Sequence, residues 1–289
     1  MNRRAILLLA LGLGVLMSGC SSAPKFDPRT APPPPAGSEL IRVHNERVAP
    51  LDALWARVSV RAEGLDPRGD KFREQGEGHL QIVRPDRFSL TIGKFEETYF
   101  ALGANGQQYW SIDLSQSERK LAMVGEQALA TPEKLAALGL PIHPHEMIML
   151  LGVLPIDATL ETASHWSPDG KNVGIEVPAE WGSVAFWFDA KTTELARTQA
   201  FDSAGELVAS AKLWRYKPVD GFEDPGVRST APGVVELRAV GFDGLVRMEL
   251  SGPRFKAIRP VVFRPENLVR IYRVHETIDL DAPIEPAGP

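Results

Sequence analysis

The stretch from Gly76 to Asp113, GEGHLQIVRPDRFSLTIGKFEETYFALGANGQQYWSID, constrains the fold more than any other part of the chain. Leu80 and Ile82 alternate with His79, Gln81 and Val83, and Phe88, Leu90 and Ile92 alternate with Arg87, Ser89 and Thr91. A period of two belongs to half-buried strands, whose successive side chains point to opposite faces. Each run stops at a turn signal: Arg84-Pro85-Asp86, then Gly93-Lys94, then Asn105-Gly106, a dipeptide suited to a two-residue hairpin. The spacing predicts four strands in an antiparallel meander.

Around this meander the pattern alternates between short helices and further strands. Ser38 is placed to cap a helix whose apolar side is Leu40, His44, Val48, Leu51 and Trp55, interrupted at Pro50. A strand over Arg57 to Ala62 follows, then a Gly/Pro loop from Leu65 to Asp70. Beyond a strand at Leu121 to Val124, Thr131-Pro132-Glu133-Lys134 starts one helix with a stop at Gly139, and His143-Pro144 starts another that ends at Gly152. The chain then returns to strands at Val173 to Val177, Ser183 to Phe188, Leu195 to Phe201 and Leu207 to Tyr216. Lys217 to Pro232 reads as loop, Val234 to Ala239 and Leu245 to Leu250 as a hairpin, and Arg259 to Phe263 as a closing strand. The expected fold class is mainly β with a few helices: a strongly curved antiparallel sheet or open half-barrel with a helical lid or plug.

The N-terminus carries Arg3 and Arg4 and then an apolar run from Ala5 to Met17, too short to cross a bilayer core of about 30 Å but suited to a secretion signal. Leu16-Met17-Ser18-Gly19-Cys20 resembles a bacterial lipobox, which implies that Cys20 is acylated and begins the mature chain. Residues 1–19 are then a signal peptide, and 20–37 a lipidated cysteine with a Pro-rich tether that reaches roughly 50 Å if extended. Residues 38–276 form one domain with a helical insertion at 131–152, and 277–289 form a flexible tail. Cys20 is the one cysteine of the chain, so no intrachain disulfide forms. Removing Arg3 and Arg4 moves the net charge from −5 to −7, and no basic run remains. This argues against nucleic acid as a partner and against broad adhesion to anionic membrane.

The wording of the meander is specific. Glu74-Gln75-Gly76-Glu77-Gly78, the Arg84-Pro85-Asp86-Arg87-Phe88 corner and Asn105-Gly106-Gln107-Gln108-Tyr109-Trp110 stand in an order that resembles the LolA-type outer-membrane lipoprotein carriers. Leu140-Pro141-Ile142 and Leu151-Gly152-Val153-Leu154-Pro155 resemble the helical insertion of LolB, the lipid-anchored acceptor relative. The resemblance covers Ser38 to Tyr216. It implies an open barrel that shelters acyl chains of lipoproteins or lipids, in an envelope protein held at the outer membrane by its anchor and supplied by a periplasmic carrier. It also assigns positions. Arg84 matches the corner arginine linked to holding the lid closed. Phe95, the apolar residue of the turn from Gly93 to Glu97, takes the place of a protruding membrane-contact residue, although the family's proline-leucine-glycine wording is missing there.

The chemistry of the residues is consistent with binding rather than catalysis. The chain has no G-x-S-x-G elbow, no H-E-x-x-H and no Walker loop. His143, His145 and Glu146 are close in sequence but point apart at a helix start, and Glu96-Glu97, as neighbours on a strand, face opposite sides. The expectation is therefore no catalytic residue, no metal and no cofactor, in a monomer. Residues expected on the concave face are large and soft: Phe88, Leu90, Phe100, Trp110, Phe186 and Phe188 on strands, with Met147, Met149, Leu150 and Leu151 on the insertion. Methionine re-packs around varied apolar guests. A structural or sensory lipoprotein of the same shape, binding a lipid or protein partner without transport, is the competing expectation, and an uncharacterised hydrolase is the third.

Overall fold

A computed structural model describes residues 26–65, 68–95, 97–136, 138 and 143–282. The signal segment, Cys20 and the first tether residues, Glu96, Gly139, Leu140-Pro141-Ile142 and the end of the tail lie outside the described residues. The helices are α1 (Gly37–Val48), α2 (Pro132–Ala136), α3 (Pro144–Leu150) and α4 (Pro265–Tyr272). The strands of the first half are β1 (Ala53–Leu65), β2 (Lys71–Val83), β3 (Arg87–Lys94), β4 (Glu97–Asn105), β5 (Gln108–Asp113) and β6 (Leu121–Glu126). Those of the second are β7 (His165–Trp166), β8 (Asn172–Ala179), β9 (Gly182–Asp189), β10 (Leu195–Asp202), β11 (Leu207–Trp214), β12 (Lys217–Pro218), β13 (Thr230–Ala231), β14 (Val234–Ala239), β15 (Gly244–Arg254) and β16 (Glu276–Asp279).

Fourteen strands form one curved sheet in the order β16-β6-β5-β4-β3-β2-β1-β15-β14-β11-β10-β9-β8-β7. The predicted meander is present as β2 to β5, with Leu80 opposite Leu90, Leu90 opposite Leu102, and Leu102 opposite Ser111. This alternation divides the sheet into two apolar faces. Leu54, Ala56, Val58, Leu80, Ile82, Phe88, Leu102 and Tyr109 share a core with α1, α3, Phe186, Phe188 and Leu213, so this is the concave side where distant strands meet. Ala101, Trp110 and Ile112 face the other way and are covered by Phe263 and Leu268. Gly103 makes the convex packing feasible, since a Cβ there would lie 2.4 Å from Cζ2 of Trp110. Gly78 does the same for the bend, because a Cβ would lie 1.7 Å from the carbonyl oxygen of Thr91.

Several expectations need correction. The helix α1 begins at Gly37 with no side-chain cap, so Ser38 lies inside it. It stops at Val48, before Pro50, which has no N–H to donate; Leu51 then packs in the core and Trp55 sits on β1. Arg259 to Phe263 is not a strand. Pro260 and Pro265 each stand at the first position of a helical turn, giving a 3-10 turn at Pro260–Phe263 and then α4, whose apolar side covers Trp110. The tail is bound at its start: β16 pairs in parallel with β6, and Lys134 pairs with Asp281 at 2.5 Å. The loop from Lys217 holds the short β12–β13 ladder. The tether is docked as well, with Phe26 edge-on to Trp166 at 5.6 Å and the Trp166 indole donating to the Pro32 carbonyl at 2.8 Å.

Leu268→Ala removes the centre of the convex cover and is expected to cost about 2–4 kcal/mol in urea unfolding, with a red shift of tryptophan emission as Trp110 is wetted. Ile271→Ala, on the exposed side of the same helix, is expected to stay within about 0.5 kcal/mol of wild type.

Candidate functional site

The concave groove is filled on one half and open on the other. The filled half is held by consecutive turns of α1 against the segment that follows α3. Arg47 donates from Nη2 to the Gly152 carbonyl at 2.8 Å and from Nη1 to the Thr230 carbonyl at 3.1 Å. His44 bonds through Nε2 to the Leu154 carbonyl at 2.8 Å, and its Nδ1 lies 3.1 Å from Arg47 Nη2. A neutral imidazole satisfies both contacts, with Nε2–H donating and Nδ1 accepting. Asn45 grips Ile156 twice, donating to its carbonyl at 2.7 Å and accepting from its amide at 2.8 Å. Thr198 on β10 donates to the Leu150 carbonyl at 2.8 Å, which secures the end of α3.

This latch is buried. His44 is 1% exposed between Phe186 and Phe188, whose ring centroids are each 6.0 Å from its own. Burial first, and the neighbouring Arg47 second, push its pKa down to about 3. Burial also lowers the Arg47 pKa. Its guanidinium makes no ion pair among the described residues and lies 5.0 Å from the centre of the Tyr216 ring, whose phenol burial pushes up to about 12. A buried cation bonded to carbonyls and stacked on an aromatic ring ties α1, α3 and the β13 region into one unit.

The open half is a cleft of about 360 Å³ over β1 to β6, lined by Val60, Ala62, Gly76, Ile92, Phe100 and Met123. Leu138, from the helical insertion, reaches its edge, and Glu74, Asp113 and Tyr99 stand at the polar margin. The Tyr99 hydroxyl donates to the Gln75 carbonyl at 2.9 Å. The cleft offers a greasy floor with a polar lip.

Of the residues expected to line a cavity, Phe100 lines this cleft, and Met149 lines a separate cleft of about 400 Å³ beside His143, His145 and Pro155. Phe88, Leu150, Leu151, Phe186 and Phe188 are buried in the dry concave core, and Leu90, Met147 and Met149 pack half-buried against it. Trp110 does not face the concave side at all. It is one residue out of phase with Tyr109, so it lies on the convex face under α4. Arg84 does not touch α3: it donates to the carbonyls of Val48 and Ala49 and pairs with Asp52 at 2.5 Å, fastening the end of α1 to the β2–β3 corner. The arginine bonded to the segment after α3 is Arg47, which sequence reasoning missed; its position one turn after His44, on an apolar helix side, was the available signal. Phe95 is 89% exposed at the β3–β4 turn with φ at 52°, a left-handed conformation that costs a non-glycine residue of order 1 kcal/mol or more.

The His143 cluster is structural in its contacts. His143 Nδ1 accepts the His145 amide at 3.3 Å and its ring meets Trp181 edge-on. Glu146, buried, accepts the Trp181 amide at 3.3 Å, and burial raises its pKa. Among the described residues no three His, Cys, Asp or Glu side chains converge to hold a metal ion, and no helix is long and apolar enough to cross a membrane.

No protein-family model matches the chain, and no curated protein matches it by sequence. Solved structures do. A Vibrio parahaemolyticus domain considered a candidate outer membrane lipoprotein-sorting protein superposes with a TM-score of 0.53 at 12% identity, covering 80% of this chain and 97% of its own. A LolA superfamily protein from Nitrosomonas europaea gives 0.47 at 12% identity, covering 80% and 98%. A DUF1329 family protein from Desulfovibrio piger gives 0.46 at 13%, covering 80% and 97%. The fold of this chain is a curved, open antiparallel sheet like that of the Vibrio parahaemolyticus domain, as the meander predicts.

Arg47→Leu leaves two buried carbonyls without donors and is expected to cost about 2–4 kcal/mol, with faster amide exchange over residues 148–156. Arg84→Ala is expected to leave exchange there unchanged.

Stability also depends on pH through His44. The unfolded chain takes up its proton below about 6.5, whereas the folded imidazole stays neutral to about 3. Stability is thus retained above pH 6.5 and falls as pH drops toward 3, at up to about 1.4 kcal/mol per pH unit. Urea titrations of wild type and His44→Phe from pH 7 to pH 4 are expected to show the shallower slope in the variant.

Proposed function

We propose that this protein is a lipid-anchored envelope protein that shelters acyl chains of lipoproteins or lipids in its concave cleft and takes part in placing them in the outer membrane, as an acceptor. The observation that carries this reading is the open, apolar cleft beside a half-groove plugged by α1 and α3 in a LolA/LolB-like fold. Hiding a C16 chain from water is worth on the order of 12 kcal/mol, so such a chain does not cross an aqueous gap unshielded. A cleft of about 360 Å³ is at the lower end of ligand pockets, which run from about 300 to 1,000 Å³. A guest with several chains therefore needs the insertion, with Leu138 at the rim and α3 behind it, to move aside.

Membrane attachment through Cys20, contact at Phe95, delivery by a periplasmic carrier, action as a monomer and the absence of catalysis complete this reading. Its support is the lipobox-like wording before Cys20 and the exposure of Phe95. A structural lipoprotein that only binds a lipid or a partner is the second reading, favoured by the dry packing of Phe88, Phe186 and Phe188.

The chain from Ser21 onward, purified without detergent, is expected to take up an N-palmitoyl peptide detectable by native mass spectrometry and by fluorescence titration. Ala62→Trp, which fills the cleft from its floor, is expected to weaken uptake at least about tenfold while the fold is kept. Equal uptake by this variant, or none by wild type, removes the transport reading.

A further inference from the structure

The chain is acidic overall, at −5, and has no basic run. The fold redistributes that charge. On the convex face, β1 brings Trp55 opposite Arg254 of β15 and Arg57 opposite His79 of β2. Trp55 is the centre of this patch: the Lys256 ammonium lies 4.2 Å from its ring centroid, the Arg254 guanidinium 5.2 Å, and the His79 ring 5.1 Å. A groove of about 810 Å³ runs from there to the β3–β4 turn, bounded by Arg57, His79, Thr91, Lys94, Phe95 and Glu97.

The cations here are available. Among the described residues, Arg57, Lys94, Arg254 and Lys256 make no ion pair, while Glu249 nearby is held by Arg247 at 2.8 Å. The groove lining itself is balanced, Arg57 and Lys94 against Glu77 and Glu97; Arg254 and Lys256, stacked on Trp55 at its end, are the cations beyond that balance. The His79 imidazole reports the same field, being held below its usual pKa by burial and then by Arg57 and Lys256. Stacking on Trp55 fixes two of the cations in place, so ordering them on binding costs less than for free surface side chains.

We infer that this convex groove docks on the surface of a bilayer containing anionic phospholipid, with Arg57, Lys94, Arg254 and Lys256 meeting headgroup phosphates and Phe95 entering below them. The residue types match an interface: tryptophan and cationic side chains sit at headgroup level, and an apolar side chain extends past it. The groove and the concave cleft both include Gln75, Gly76 and Ile92, so they lie back to back at the same strand ends. The inference rests on the membrane part of the proposed function and not on what the cleft carries.

Vesicle flotation tests it with the chain from Ser21 onward, made without lipid and containing every described residue. Vesicles of phosphatidylcholine mixed with phosphatidylglycerol are expected to carry the protein, less so as salt rises, and phosphatidylcholine alone to carry little. The variant R57Q/K256Q changes two exposed side chains and is expected to bind mixed vesicles roughly twenty-fold more weakly, from about fivefold per cation, with N-palmitoyl peptide uptake unchanged. Equal binding to both vesicle types, or wild-type binding by R57Q/K256Q, overturns the inference. F95S is expected to lose binding to mixed vesicles; full retention overturns the insertion of Phe95. Failure of peptide uptake with charge-dependent flotation intact upholds the docking surface and removes only the proposed cargo.

Discussion

A buried arginine that makes no ion pair among the described residues organises the concave side of this protein. Arg47 lies on α1 with its guanidinium against Tyr216, and its hydrogen bonds go to main-chain carbonyls of Gly152 and Thr230. Such a group is costly to desolvate, and hydrogen bonds to carbonyls offset part of that cost. The carbonyls it uses belong to the segment after α3 and to β13, so the arginine cannot be satisfied unless both are in place. His44 and Asn45 extend the same bonding to Leu154 and Ile156. The segment after α3 is therefore positioned by polar groups of one helix.

This arrangement explains why the groove is unequal. A long bent sheet has a concave side wider than its own side chains can fill. Over β8 to β11 the space is taken by α1, α3 and large residues such as Phe186 and Phe188, which leave no room for a guest. Beyond that core the concave side of β1 to β4 carries Val60, Gly76, Ile92 and Phe100, and a cleft remains there. Glycines at 76 and 78 allow the strands to approach where a Cβ would collide with Ile92 or the Thr91 carbonyl. The bend and the opening have one cause.

The convex side is divided in the same manner. Its apolar part, with Trp110 and Ile112, is covered by the C-terminal 3-10 turn and α4, and its polar part is left uncovered with Trp55 among cations. The C-terminal segment serves two ends here, since α4 shields one face and β16 closes the β6 edge, where unpaired backbone groups would otherwise invite another strand.

The meander, the short helices at 131–152 and the curved sheet were legible because each rests on local chemistry: a period of two, a turn dipeptide, a proline at a helix start. Which residues lined a cavity was not legible. Trp110 and Tyr109 are adjacent and equally apolar, and one step of phase sends them to opposite faces; Phe100 and Phe186 have the same character, yet one faces a cleft and the other a filled core. The arginine that bonds the segment after α3 was not legible for a similar reason: Arg84 and Arg47 are both near a helix end, and only the three-dimensional path of the chain puts Gly152 within reach of Arg47. The run Arg259 to Phe263 has the composition of a strand, but its two flanking prolines favour helical turns that α4 completes on the convex face. Sequence by itself determined the elements and their sheet, through short-range steric and hydrogen-bonding preferences. The tertiary structure alone decided which side of the sheet is filled, which is open, and where cations spread along an acidic chain come together, because those depend on contacts between residues far apart in the chain.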